Sequence, residues 1–155
     1  MSGSARSPFL VAVHLFFLDE NKILLLRRFN TGYEDGNYSV VAGHVDAGET
    51  VTQAAIREAQ EEAGVVLQPE NLQVVHVMNR RSNDERVDFF VVVKGWSGEI
   101  RNTEPDKCDD LAWFPLADLP ANIIPYVRYA IENYQKGILY SEFGWSDKID
   151  ATLEF

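Results

Sequence analysis

Apolar and polar positions along the chain fall into two kinds of period, and these separate strands from helices. Residues 8–18, PFLVAVHLFFL, are continuously apolar and rich in β-formers. A run of that kind, with no polar alternation, predicts a strand buried on both faces. Asp19, Glu20, Asn21 and Lys22 interrupt it as a hairpin turn into a second strand, ILLLRR at 23–28. The polar, glycine-bearing stretch 29–38 is a loop, and SVVAG at 39–43 is a short strand. Two more strands are predicted at 72–80 and 86–96, joined through Ser82, Asn83, Asp84 and Glu85, and another at 111–114.

Helical periodicity occurs twice. Thr50 and Gln53 have the spacing of a capping box, which starts a helix at Val51, and Gly64 is the natural residue just past its end. At about 100° per residue, Val51, Ala54, Ala55, Glu58 and Glu62 share roughly a third of the circumference, with Glu61 at the edge of that arc. Ile56, Ala59 and Ala63 continue the apolar surface. A second helix runs from 125 to about 136, with Pro125 in its first turn and Gly137 beyond its end. Tyr126, Tyr129, Ala130, Ile131 and Tyr134 give it an apolar side. A mixed or antiparallel sheet with two main helices outside it predicts an α/β fold, an α/β/α sandwich. No repeat or linker breaks the chain, so one domain over 1–155 is expected, with a core of about 8–136 and a tail, 137–155, without an assigned role.

Charge narrows the partners. A formal net charge of -10 over 155 residues argues against a nucleic-acid polymer held on a broad basic face, while a small phosphorylated ligand remains compatible. The single cysteine, Cys108, excludes an internal disulfide and a cysteine-built zinc cluster, and fits a reducing compartment. No apolar run reaches the roughly 18 residues of a membrane span, and the first residues lack the apolar core of a signal peptide. A cytoplasmic protein is the expectation.

One helix carries an unusual load. Glu58, Glu61 and Glu62 stand at i, i+3 and i+4, where side chains are neighbours. Acidic triplets ordinarily form a solvated face, but here Glu58 and Glu62 lie on the apolar side and a glycine-bearing turn, 43–48, feeds the helix. Arg57, four residues before Glu61, can pair with one carboxylate but not with three. A divalent cation with oxygen ligands can neutralise such a group.

Residues 43–65, GHVDAGETVTQAAIREAQEEAGV, closely resemble the Nudix box of the Nudix hydrolase superfamily. The pattern falls on Gly43, Glu49, Arg57, Glu58, Ala59, Glu61, Glu62, Gly64 and Val65, with Ala59 standing where a larger aliphatic residue is usual. The similarity extends over most of 8–136 and includes the WF-x-L-x-x-LP segment at 113–120. It implies that Glu58, Glu61 and Glu62 bind metal, Glu58 and Glu62 most directly, with the Gly43 carbonyl as a further oxygen. Arg57 would orient a glutamate and Glu49 would brace the loop through Arg57. The implied metal is magnesium, with manganese as a substitute.

The resemblance leaves the general base open between a box glutamate such as Glu61 and a residue of the loop 99–110. In that loop Glu104 is preferred, because 96–105, WSGEIRNTEP, is similar to the corresponding segment of mutator-type nucleoside triphosphate pyrophosphohydrolases. Asp109 and Asp110 are the alternatives. Arg27 and Arg28 are candidates for a phosphate clamp or a base stack, with strand alternation turning one of them away. Asn122 stands where mutator-type enzymes read the base, although capping the helix at Pro125 explains it equally well. Phe89 and Phe90 straddle both faces of a strand. His14, His44 and His76 are isolated and read as structural or loop residues, His44 within the box loop.

The implied activity is metal-dependent pyrophosphohydrolysis of nucleoside diphosphate derivatives, first of all a nucleoside triphosphate giving monophosphate and pyrophosphate. Hydrolysis of ADP-ribose or a nucleotide sugar is the alternative, and a non-catalytic nucleotide-binding regulator is an alternative of another class. The expected partner is a small nucleotide, with the chain a monomer or homodimer.

Overall fold

The computed structural model describes residues 5–145 and the backbone of 152–153. The opening residues 1–4, and the tail residues 146–151 and 154–155, lie outside the described part. Strands β1 (Leu10–Asp19) and β2 (Lys22–Arg28) pair antiparallel across the predicted turn, with Leu18 opposite Ile23. The strand expected at 39–43 is split at Val40. Its first part, β3 (Tyr38–Ser39), pairs with β2, and its second, β4 (Val41–His44), pairs with β1. One short segment thus crosses between two strand edges, which an apolar run cannot reveal.

Helix α1 (Val51–Ala63) follows, and then a 3-10 turn at Pro69–Asn71. Strands β5 (Leu72–Arg81) and β6 (Glu85–Val93) form the second hairpin, and β6 runs parallel to β1. Strand β7 (Cys108–Pro115) pairs with β2 and is longer than expected, because Asp109 and Asp110 carry no strand pattern. Helix α2 (Pro125–Gln135) leads to β8 (Tyr140–Phe143), parallel to β5, and β9 (Thr152–Leu153) pairs with β8. The sheet therefore continues past residue 136, beyond the expected core. Pairing of β8 is secured by His76, which is fully buried: Nδ1 meets the Ile138 carbonyl at 2.8 Å and Nε2 the Ser141 hydroxyl at 2.7 Å.

The mixed sheet runs β3-β2-β1-β6-β5-β8-β9, with β4 on β1 and β7 on β2, and the two helices cover opposite faces. Val13, Leu15 and Phe17 of β1 share one apolar cluster with Ala54, Ala55, Ala59 and Ala63 of α1. Phe16 of β1 and Phe90 of β6 share the other with Val127, Ala130 and Ile131 of α2. Both faces of β1 are buried, as its unbroken apolar run requires. Each large side chain taken fully from water here contributes about 1.5–3 kcal/mol. Among the described residues no helix is long and apolar enough to cross a membrane.

Helix α1 has both ends built as its sequence dictates. The Thr50 hydroxyl accepts from the Gln53 N–H, while the Gln53 side chain accepts from the Thr50 N–H. At the far end Gly64 takes φ 70°, a left-handed conformation costly for other residues, and its N–H reaches the last carbonyls. The alanine face lets the helix lie close to the sheet. That closeness carries Glu58 and Glu62 toward β4.

Candidate active site

Arg57 is the hub of the loop–helix junction. Its Nε donates to Glu49 Oε2 at 2.8 Å and its Nη2 to Glu49 Oε1 at 2.9 Å, a two-point fork. Nη2 also holds the His44 carbonyl at 2.9 Å, and Nη1 donates to Glu58 Oε1 at 2.6 Å and more distantly to Glu61 Oε2 at 3.4 Å. Glu49 in turn accepts from the Asp46 N–H at 2.9 Å. The Arg57 guanidinium, helped by that N–H, holds the Glu49 carboxyl down at about 2. Loop 44–49 is thereby clamped to the helix as one unit.

The three helix carboxylates have different surroundings. Glu58 is 8% exposed, and its carboxylate lies against Gly43. Burial raises its pKa, against the opposing hydrogen bond and charge of Arg57. Glu62 is half-buried and accepts from the Ala42 N–H at 3.0 Å. Burial first, and then the charge of Glu58, push its pKa up to about 8. Glu61 is exposed, and its backbone carbonyl accepts the Thr103 hydroxyl. Among the described residues no three histidine, cysteine or acidic side chains already converge into a cage. The side-chain donors that α1 offers here, Glu58, Glu61 and Glu62, are nevertheless all carboxylates. That set suits magnesium or manganese, which take carboxylates and keep positions for water and phosphate, and two crowded, desolvated carboxylates favour a nearby positive charge.

Two cavities adjoin this cluster. The smaller, of about 190 Å³, brings Glu62 together with Glu104, Arg28, Asn102, Lys107 and Cys108. Glu104, singled out through its resemblance, lines the same cavity as Glu62; Asn102 Oδ1 accepts its N–H at 3.1 Å. The larger, of about 340 Å³, is lined by Gly43, His44, Arg28, Arg80, Arg86 and Tyr126, among others.

The two arginines of β2 diverge. A register shift between Arg27 and Arg28 places Arg28 opposite Cys108 and Arg27 opposite Asp110, the kind of irregularity that re-aims side chains. Arg28 lines both cavities. Arg27 lines neither: it pairs with Asp109 at 2.7 Å and lies over the Tyr38 ring. Asp110 receives the Tyr38 hydroxyl, so both alternatives to Glu104 are engaged elsewhere. Asn122 lines neither cavity and does not cap α2, whose first turn has Ile124 as its unassisted cap. Its Nδ2 instead holds the Gly36 carbonyl at 2.8 Å and ties down the loop after β2. Phe90 is core and Phe89 lines neither cavity.

Sequence reasoning missed the far wall of the larger cavity. Arg80, only 5% exposed, donates through Nε to the fully buried Asp88 at 2.6 Å and lies 3.7 Å from the Tyr126 ring centre. The Tyr126 hydroxyl meets His14 Nε2 at 2.9 Å, and His14 stacks on Phe90. Burial pushes the His14 pKa down to about 4. His14 is thus a buried structural residue, as expected, but one that also borders the cavity. The available signal was an arginine and an aspartate inside otherwise apolar strands, residues rarely buried unless paired.

The NUDIX domain model matches residues 8–134, and the chain belongs to the Nudix family. It is 30% identical over 113 residues to the ADP-ribose pyrophosphatase of Methanocaldococcus jannaschii, covering 71% of this chain and 64% of that protein. It is 27% identical over 116 residues to the 8-oxo-dGTP diphosphatase of Escherichia coli, covering 74% of this chain and 86% of that protein. The crystal structure of a MutT NUDIX hydrolase from Burkholderia pseudomallei superposes with a TM-score of 0.74 at 29% identity, over 81% of this chain and 98% of the other. Several curated relatives are longer: the chain spans between 33% and 64% of four of them.

Proposed function

We propose that the chain is a divalent-metal-dependent pyrophosphohydrolase of nucleoside diphosphate derivatives. The observation that carries this reading is the meeting of buried Glu58 with Gly43, and of Glu62 with Glu104 in one cavity. Glu58, Glu62 and the Gly43 carbonyl would hold magnesium, or manganese in its place, with Glu61 on the solvent side. When bound, the metal would screen the diphosphate charge and acidify a water. Glu49 and Arg57 position Glu58, because the fork fixes Arg57 and Nη1 fixes one Glu58 oxygen. Glu104 accepts the proton of the attacking water, and Arg28 contacts the phosphates between the two cavities. Of the other candidates for substrate contact, Arg27 is paired with Asp109 and Asn122 holds the Gly36 carbonyl.

The reading of a nucleoside triphosphate as substrate draws on Glu104, which faces Glu62, and on the likeness to an 8-oxo-dGTP diphosphatase. The likeness to an ADP-ribose pyrophosphatase supports the alternative. A non-catalytic regulator is less favoured, since every carboxylate of the box is present. The net charge of -10 favours a small nucleotide over a polymer. The test is phosphate release from a nucleotide panel with magnesium, in wild type and in Glu61→Gln and Glu62→Gln. Turnover that collapses in the Glu62 variant supports the reading. Turnover that persists in both variants moves the chemistry elsewhere.

A further inference from the structure

The segment that leaves β6 is laced to the end of α1. Ser97 and Val66 exchange backbone hydrogen bonds at 2.9 and 3.0 Å, and the Arg101 N–H donates to the Ala63 carbonyl at 3.0 Å. The Thr103 hydroxyl then donates to the Glu61 carbonyl. The two segments run in opposite directions through these contacts, so each contact fixes the register of the next. Carbonyls in the last turn of a helix have no N–H ahead of them within it. The Gly64 N–H serves those of Ala59 and Gln60, and the loop serves those of Ala63 and Glu61. Ile100 anchors the loop on the apolar cluster under α1. The Arg101 side chain lies across Gly64, where any larger residue would meet it.

Glu104 is the first residue past the last of these contacts, and its backbone is held on both sides. Its N–H donates to Asn102 Oδ1 at 3.1 Å, and its carbonyl accepts from the Lys107 and Cys108 N–H groups, each at 2.9 Å. Asn102 also donates through Nδ2 to the Cys108 carbonyl at 2.7 Å, so one amide closes the turn. Pro105 restricts the backbone of Glu104 further, since a residue before proline is kept extended. The Glu104 carboxylate, by contrast, has no ion pair among the described residues, and it lines the cavity with Glu62. A fixed backbone with a free carboxylate is the condition for a proton acceptor, which must be placed without being neutralised. The turn at 102–108 fixes Glu104 within its own loop. Thr103 is the side chain that ties that loop to α1.

Building on the proposed hydrolysis with Glu104 as the proton acceptor, we propose that Thr103 is a positioning residue for that step: by holding the Glu61 carbonyl, its hydroxyl sets where the Glu104 carboxylate stands relative to Glu62. In the step itself the water oxygen bonds to phosphorus, its proton passes to a Glu104 oxygen, and the bridging P–O bond breaks to release the other phosphate group. Thr103 touches none of these atoms. It acts on the placement of the accepting oxygen, and a misplacement of about 1 Å can cost on the order of 100-fold in rate. The Glu61 carbonyl needs a donor, so serine can stand in for threonine and valine cannot.

The test is a double-variant cycle on the full chain with magnesium and the best-used nucleotide of the panel. Glu104→Gln is expected to lower kcat by about 100-fold or more. Thr103→Val, which keeps the shape and loses the hydroxyl, should lower kcat about tenfold with KM nearly unchanged. Thr103→Ser should restore most of that loss. In the Glu104→Gln background Thr103→Val should cost almost nothing more, because a residue that acts through a carboxylate loses its effect with it. An equal cost in both backgrounds would mean a structural contact only and overturns the inference. Should Thr103→Val fail to fold, Thr103→Ala takes its place in the cycle. The rise in Tm with magnesium should be the same in Thr103→Val as in wild type; a lost rise would place the effect on the helix carboxylates and also overturns it. Full kcat in Thr103→Val beside a crippled Glu104→Gln overturns the inference alone and leaves hydrolysis standing. Full kcat in Glu104→Gln, or no turnover by wild type, defeats the underlying reading first, and the inference falls with it.

Discussion

The carboxylate of Glu58 occupies the space that a methyl group on Gly43 would need, with its Cδ and both oxygens standing against that position. Gly43 is therefore required for room, since its φ is not among the positive ones. The obstructing atoms are the end of a flexible side chain, so the fold can accommodate the change by swinging the carboxylate away. Gly43→Ala should leave Tm within a few degrees of wild type, while kcat falls on the order of 100-fold, as for a misplaced reactive group. Thermal melts and steady-state kinetics on the same preparation check this. Unchanged kcat would mean that the position of Glu58 is immaterial to turnover.

The Arg57 fork makes a second case. Arg57→Lys keeps the charge but cannot hold both Glu49 oxygens and Glu58 in one plane. Supporting residues of this kind typically cost 10–100-fold in metal affinity or activity when changed, and that loss is expected here. Glu49→Gln should produce a comparable loss, because it disturbs the same fork from the other end. The double variant should be little worse than either single one. Additive losses would show two independent roles.

How much of this was legible in the sequence depends on range. The Thr50–Gln53 cap, the Gly64 end and the Glu49–Arg57–Glu58 set lie within one loop and one helix, where fixed spacing implies fixed geometry. The apolar run of β1 likewise told which strand is central. Glu104 was reached only through resemblance, and its meeting with Glu62 depends on the folded loop after β6. Three features had no local signal. The shift at Arg27 and Arg28 arises from pairing with β7, β8 is four residues long and is held by His76 from another strand, and His14 meets Tyr126 across 112 residues. Asn122 shows the converse: its place in the sequence suggested contact with a base, yet its side chain ties down the loop at Gly36.

The buried His14 makes acid stability predictable. Its pKa is about 4 in the folded chain, against 6.5 for a freely solvated histidine, because burial disfavours the charged ring. A depressed histidine value means that the unfolded chain binds the proton first. This group costs nothing above pH 6.5; stability is lost as pH falls from 6.5 toward 4, at up to about 1.4 kcal/mol per pH unit. The total is on the order of 3 kcal/mol. After burial, the charge of Asp88 favours the protonated ring, while those of Arg80 and Arg86 oppose it. In His14→Gln that part of the slope should vanish between pH 6.5 and 4.5, even though the variant is less stable at neutral pH from losing the Tyr126 contact. Denaturant melts at five pH values compare the two. Parallel curves would show that His14 is charged or exposed in the folded chain.

Metal linkage gives the most direct reading of the helix carboxylates. Glu58 and Glu62 are crowded and partly desolvated, and the Glu62 carboxyl is pushed up to about 8, so in the ion-free chain it takes up a proton at neutral pH, which a bound cation would displace. A cation that binds only the folded form stabilises it by about 2.7 kcal/mol at a hundred times its Kd, or roughly 5–10 °C for a domain of this size. Magnesium should therefore raise the wild-type Tm by that amount, and manganese should do the same. Glu62→Gln removes the cost of protonating that carboxyl on folding, so its ion-free Tm at neutral pH should equal or exceed that of wild type. The same substitution removes an oxygen anion from the donor set, so most of the magnesium shift should disappear. The two effects have opposite signs, which separates loss of a ligand from general damage to the fold. A Glu62→Gln variant that keeps the full magnesium shift would place the cation away from Glu62.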